Sequence, residues 1–123
     1  IVSNVNNRRK FLFIRPSLVY SNSPFSSFIL LYACPIFVIE QTKYHRFGGD
    51  CYMYGMIASG LIEIVIEDTL KAHDYMALIP IIEGAGGKVT DKYGKVATIH
   101  SEGSIVASAN DQLHKELIDI INN

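Results

Sequence analysis

Residues 74–87 read DYMALIPIIEGAGG: one carboxylate, an apolar run carrying Pro80, and a glycine-rich stop. Asp74 stands where the side chain can accept the free backbone N–H groups of a first helical turn. Ala77, Leu78, Ile81 and Ile82 recur at helical spacing, which predicts one helix opening at Asp74 with these four residues inward. Pro80 inside it removes a backbone bond, so a kink or a local 3₁₀ turn is expected. Gly84, Gly86 and Gly87 end the helix by allowing left-handed or closely approached backbone. Upstream, residues 61–67 (LIEIVIE) alternate as a strand does, putting Glu63 and Glu67 on one side. Before that lies the polar loop HRFGGD, from His45 to Asp50. Three polar points converge on one mouth.

Outward from this centre the pattern is regular. Residues 51–59 predict a short helix, with Gly55, Ala58 and Ser59 allowing close packing and Gly60 closing it. Residues 88–90 and 96–99 around the turn 91–94 read as a hairpin. Residues 104–108 (SIVAS) read as a buried strand, and Asn110 or Asp111 caps a last helix with Leu113, Leu117, Ile118 and Ile121 inward. The order helix, strand, helix, hairpin, strand, helix predicts an α/β fold, a layered sandwich whose strand-end loops gather ligands on one edge. Residues 1–41 form an atypical N-terminal segment without a clean period, although 11–14 are a short apolar run. Residues 42–123 carry the α/β pattern.

Composition narrows the function classes. At 123 residues and 49% apolar content the chain suits one globular domain. Residues 1–46 hold six cations against Glu40 alone, and the remainder holds eleven acids against five lysines. That asymmetry, with no basic patch and interleaved aromatics after Arg46, excludes nucleic acid as the expected partner. Cys34 and Cys51 show neither metal spacing nor a disulfide framework, and a reducing cytoplasm fits them. Residues 25–39 (FSSFILLYACPIFVI) follow a basic cluster as the apolar part of a signal peptide would. They are shorter than the about 20 residues a crossing needs and are interrupted by Ser26, Ser27 and Pro35, so a buried strand is preferred to a membrane anchor.

The candidate chemistry lies in the mouth. Asp74 is either a plain helix cap or a hard oxygen ligand for magnesium that also holds a phosphate. Glu67 is either a solvated strand end or an acceptor for a substrate hydroxyl or cation. Arg46 and Asp50 bracket Gly48 and Gly49, either as a turn with two solvated charges or as a loop approaching a ligand, with Arg46 forking a phosphate. His45, His73, His100 and His114 lack metal spacing and are expected mostly at the surface. No Ser/His/Asp or Cys/His arrangement is present, and the glycines do not match a phosphate loop.

Residues 46–94, RFGGDCYMYGMIASGLIEIVIEDTLKAHDYMALIPIIEGAGGKVTDKYG, resemble the C-terminal half of the inositol monophosphatase family of magnesium-dependent phosphatases, and most closely its histidinol-phosphatase branch. The residues that follow, to Asn123, look like the family's closing strand and helix. The resemblance implies that Asp74 is a metal-binding aspartate and that Glu67 contacts the non-phosphate part of the substrate. It implies further that Gly48, Gly49 and Asp50 line the substrate loop. Inositol phosphatases usually carry a small neutral residue where Asp50 stands, so an acid there beside Arg46 favours a cationic substrate such as L-histidinol phosphate. Two or three Mg2+ ions activate water in this family, without a covalent intermediate.

The departures are equally informative. His73 stands where an aromatic residue often precedes the metal aspartate, and the family's first metal glutamate and DPIDGT-like motif are absent. The expectation is therefore the C-terminal part of a phosphatase, truncated or frame-shifted, with no complete catalytic set and no activity alone. An inositol monophosphatase proper and a non-catalytic remnant or interaction module are the alternatives. The implied partner is a small phosphorylated metabolite in the cytoplasm, with a homodimer suggested by the family's habit and no membrane involved.

Overall fold

The computed structural model describes Phe11–Arg15, Tyr44–Phe47 and residues 50–123. In chain order these form β1 (Phe11–Arg15), β2 (Tyr44–Phe47), α1 (Asp50–Ala58), β3 (Ile64–Glu67), α2 (Ala72–Tyr75), α3 (Ile79–Gly84), β4 (Lys88–Asp91), β5 (Ile105–Ser108) and α4 (Asp111–Asn122). The strands make one five-stranded sheet in the order β2-β1-β3-β5-β4. β1 runs parallel to both β2 and β3, with Phe13 opposite Arg46 and Arg15 opposite Glu67. β5 is antiparallel to β3 and β4, placing Ser108 opposite Ile64 and Lys88. The apolar run at residues 11–14 thus lies in the sheet beside β3.

The period-two alternation of the strands divides the core into two layers. Val65, Val89, Ile105 and Ala107 face α1, α2 and α3, where they meet Tyr54, Ile57, Tyr75 and Ile82. Ile64 and Val106 face α4, where they meet Leu113 and Leu117. β5 is buried at all four positions because helices cover both of its faces. The expected α/β sandwich is therefore present, with α4 on one side and α1 to α3 on the other.

The helix predicted over the DYMALIPIIEG stretch is two helices. Pro80 has no N–H to extend a backbone ladder, so α2 stops at Tyr75 and α3 restarts with proline in its first turn. The break resets the inward stripe. Ile82 is buried as predicted, but Ile81 is 53% exposed and Ala77 is also exposed, while Tyr75 takes the core place. Gly87 was correctly read as a close approach: a Cβ there would lie 2.6 Å from both the Ser108 carbonyl oxygen and an Ile82 methyl.

The hairpin prediction holds only at its turn. Asp91 Oδ1 accepts from the N–H groups of Tyr93 at 2.9 Å and Lys95 at 2.8 Å, and Gly94 supplies a left-handed residue with φ 79°. Beyond one bridge between Thr90 and Val96 the return arm leaves the sheet, since β4 is paired along its length with β5 instead. Ala97 turns into the core and Val96 and Ile99 stay exposed. The shorter elements form as expected: α1 ends before Gly60 at φ 72°, and Asn110 caps α4 by accepting from Leu113 N–H at 2.9 Å. Among the described residues no helix is long and apolar enough to cross a membrane, and the 25–39 segment lies outside them.

Candidate active site

Glu67 ends β3 with the parity of Val65, which points it toward α1 rather than toward α4. Its side chain is buried, 4% exposed. The next residues turn sharply: Asp68 accepts from Thr69 N–H at 2.8 Å and from the Ser104 hydroxyl, and Thr69 adopts a left-handed φ of 61°. Leu70 N–H then donates to the Gly103 carbonyl at 3.1 Å. Gly103, at φ 89°, lies so close to the Leu70 backbone that a Cβ would collide with it. A third fastener follows, as the Tyr75 hydroxyl donates to the Thr98 carbonyl at 2.6 Å. The segment that carries Asp74 is thereby bolted at three points to residues 98–104.

Contrary to the expectation of a helix opening at Asp74, that residue does not open its helix. Lys71 holds that place in extended conformation, and Asp74 sits in the first turn of α2, reaching back to accept from Lys71 N–H through Oδ2 at 2.7 Å. The cap is real, with the positions exchanged. Oδ1 lies 3.5 Å from His73 Nε2, and the Asp74 side chain is 43% exposed.

Both carboxylates act on Tyr54, a residue that no local pattern in the sequence marks as part of a site. It projects from α1 into the core, 1% exposed, and its hydroxyl is the buried side-chain polar atom left without a hydrogen-bond partner among the described residues. Burial first, then the Glu67 carboxylate, both by its charge and as an acceptor within reach of the hydroxyl though not in well-formed bonding geometry, and last the charge of Asp74, push this phenol far above its ordinary range. That shared influence on one hydroxyl brings Glu67 and Asp74 into a single neighbourhood. The signal in the sequence was the Met53, Tyr54, Ile57 spacing, which is a core stripe with one polar tip.

The other expected residues are less drawn together. Asp50 opens α1 one helical turn before Tyr54, exposed and with a left-handed φ of 45°. Arg46 lies in β2, and Gly48 and Gly49 fall outside the described residues. No group of three or more His, Cys, Asp or Glu side chains among the described residues could hold a metal ion. Asp74 offers one hard oxygen, whereas magnesium takes near-octahedral oxygen coordination. The described residues do not by themselves fit a magnesium centre. A surface recess of about 290 Å³, lined by Lys92, Lys95, His100 and Ser104 among others, includes neither Glu67 nor Asp74.

The histidines need a correction. His73 is exposed, but His114 is buried on the α4 side of the sheet, bonded to Thr90 and Ser108. It falls between Leu113 and Leu117 on the inward stripe of α4, which was the available signal.

Comparison with known proteins bears on the family and the fold. The model of the inositol monophosphatase family matches residues 5–123. The chain is 36% identical over 89 residues to the bifunctional phosphatase IMPL2, chloroplastic, of Arabidopsis thaliana, covering 67% of this chain and 26% of that protein. It is 39% identical over 75 residues to a histidinol-phosphatase of Chlorobaculum parvum, covering 61% and 28%. An inositol monophosphatase structure from Zymomonas mobilis superimposes with a TM-score of 0.78 at 26% identity, over 94% of this chain and 43% of that one. The chain thus spans about a quarter of the length of these two curated relatives. With the family model matching residues 5–123 of this chain and the fold shared, the chain belongs to the inositol monophosphatase family.

Proposed function

We propose that this chain is the C-terminal part of a Mg2+-dependent phosphomonoesterase that hydrolyses L-histidinol phosphate, a small phosphorylated metabolite, in the cytoplasm. The observation that carries the reading is the neighbourhood of Glu67, Tyr54 and Asp74: a buried carboxylate and an accessible one, both acting on a buried hydroxyl that makes no well-formed hydrogen bond among the described residues. Such an arrangement is poor as pure architecture and suited to receiving a ligand. In this reading residues 42–123 are the C-terminal α/β subdomain. Arg46, Gly48, Gly49 and Asp50 line the substrate loop, and Glu67 takes the amine-bearing part of the substrate by opposite charge. Asp74 contributes one oxygen to Mg2+. The likeness to a histidinol-phosphatase supports this choice of substrate.

One ligand does not make the centre, so the chain alone is without phosphatase activity. Two measurements test this: calorimetric titration with Mg2+, and phosphate release from L-histidinol phosphate. Neither a saturable heat at millimolar metal nor turnover is expected. Tight Mg2+ binding or turnover by these 123 residues would overturn the claim of an incomplete set. An inositol-1-monophosphatase is the second reading, favoured by the likeness to the Zymomonas mobilis structure. Asp50 discriminates: a completed enzyme that hydrolyses inositol 1-phosphate but leaves histidinol phosphate intact would favour the second reading.

A further inference from the structure

We propose that His114 is an acid-sensitive latch: a neutral imidazole bridging Thr90 of β4 and Ser108 of β5 holds the first turn of α4 on the sheet, and protonation loosens that turn. All three residues are buried. His114 Nε2 lies 2.8 Å from Thr90 Oγ1, and Nδ1 lies 2.9 Å from Ser108 Oγ.

The directions of these bonds follow from the other partners. Thr90 Oγ1 donates its proton to the Asp91 carbonyl at 2.8 Å, so it accepts from the ring, and Nε2 carries the proton. In a neutral ring Nδ1 is then bare and accepts from the Ser108 hydroxyl. The competing acceptor for Ser108, the Asn110 carbonyl, is farther at 3.1 Å. In this tautomer the neutral ring is hydrogen-bonded at both nitrogens, inside a buried node that offers no carboxylate.

Protonation adds an N–H at Nδ1, aimed at the hydroxyl that had been donating to it. Ser108 must then turn to the carbonyl of Asn110, the capping residue of α4. The new charge arrives in a buried place and in the first turn of a helix, where the backbone dipole repels cations. Among the described residues no counterion is spare. From β4 Lys88 opposes the charge, while Glu83 of α3 already pairs with Lys88 at 3.2 Å. Asp111, on α4 itself, already pairs with Lys115 at 2.7 Å. Burial, then Lys88, pushes the imidazole down to about 4, with Asp111 and Glu83 opposing only in part.

The sign follows from linkage. The folded group holds its proton less tightly than an unfolded histidine, near 6.5, so its stabilisation is complete above that pH and is lost as pH falls toward 4. The test is urea unfolding of the whole chain from pH 7.5 to 4, wild type against His114→Gln, with amide exchange protection followed in parallel. The wild-type folding equilibrium is expected to weaken on the order of a hundredfold more than that of the variant. Protection in the first turn of α4 should fall before that of β3. Identical pH dependence in the two chains, or simultaneous loss of protection in α4 and β3, overturns the latch. Should His114→Gln not fold, ring nitrogen shifts in the wild-type chain decide. A neutral ring protonated at Nε2 down to pH 5 upholds it, and an Nδ1-protonated ring or an imidazolium at pH 6 overturns it.

Discussion

Two polar clusters sit on opposite faces of the same sheet and are finished differently. At the His114 node on the α4 face, hydroxyls and imidazole satisfy one another at 2.8 and 2.9 Å. At the mouth on the α1 face, the Tyr54 hydroxyl lies near Glu67 and Asp74 without a well-formed hydrogen bond among the described residues. A closed network makes a rigid joint, and an unfinished one leaves capacity for a ligand, because an unmet buried group carries a penalty that binding can relieve. Both clusters hang on glycines that let backbones touch: Gly103 against Leu70 behind the mouth, Gly87 against Ser108 beside the node.

Substitutions can break or sharpen this contrast. The largest effect is expected from Gly103→Ala, where a left-handed backbone and a collision with Leu70 combine to cost roughly 3 kcal/mol or more. A urea midpoint equal to that of the wild type would show that residues 98–104 do not brace the segment carrying Asp74. Gly87→Ala, without a positive φ, should cost about 2 kcal/mol, because the Ile82 methyl can shift and the Ser108 carbonyl cannot. Next comes His114→Leu, which removes the donor to Thr90 Oγ1 and leaves Ser108 Oγ only its longer bond to the Asn110 carbonyl, and should destabilise by about 2 kcal/mol at pH 7. Calorimetric melting measures it, and a neutral result would mean the node is not the joint described.

Tyr54→Phe should run the other way. Deleting an unpaired buried hydroxyl leaves stability unchanged or raises it by about 0.5–1 kcal/mol in the same melting experiment. A clear loss would show that the hydroxyl already works in the resting protein, and the contrast between the faces would weaken. The smallest effect is reserved for the exposed Asp111–Lys115 pair at 2.7 Å: Lys115→Ala should leave the urea midpoint where it is.

Much of this was legible before folding. LIEIVIE and SIVAS announce their strands by alternation and β-branched content, and Asn110 announces its cap by chemistry alone. Glu67 and Asp74 could be singled out because carboxylates at a strand end and a helix start are local features. Less legible was anything that required knowing a neighbour. The return arm 96–99 alternates well enough for a strand, yet β4 had a better partner in β5, more than ten residues farther along. Ile81 has the right spacing for the core, but Pro80 ended the helix that the spacing assumed.

By itself the sequence determined the periodicities, the caps and turns, the two carboxylates and the family pattern, since each depends on residues close together along the chain. Tertiary structure decided that β1 lies between β2 and β3, that the Tyr54 hydroxyl comes near Glu67 and Asp74, and that His114 is buried between Thr90 and Ser108. The physical reason is range. Backbone propensity and capping act over one turn or one strand, whereas desolvation and the choice of hydrogen-bond partner depend on whatever the rest of the chain brings alongside.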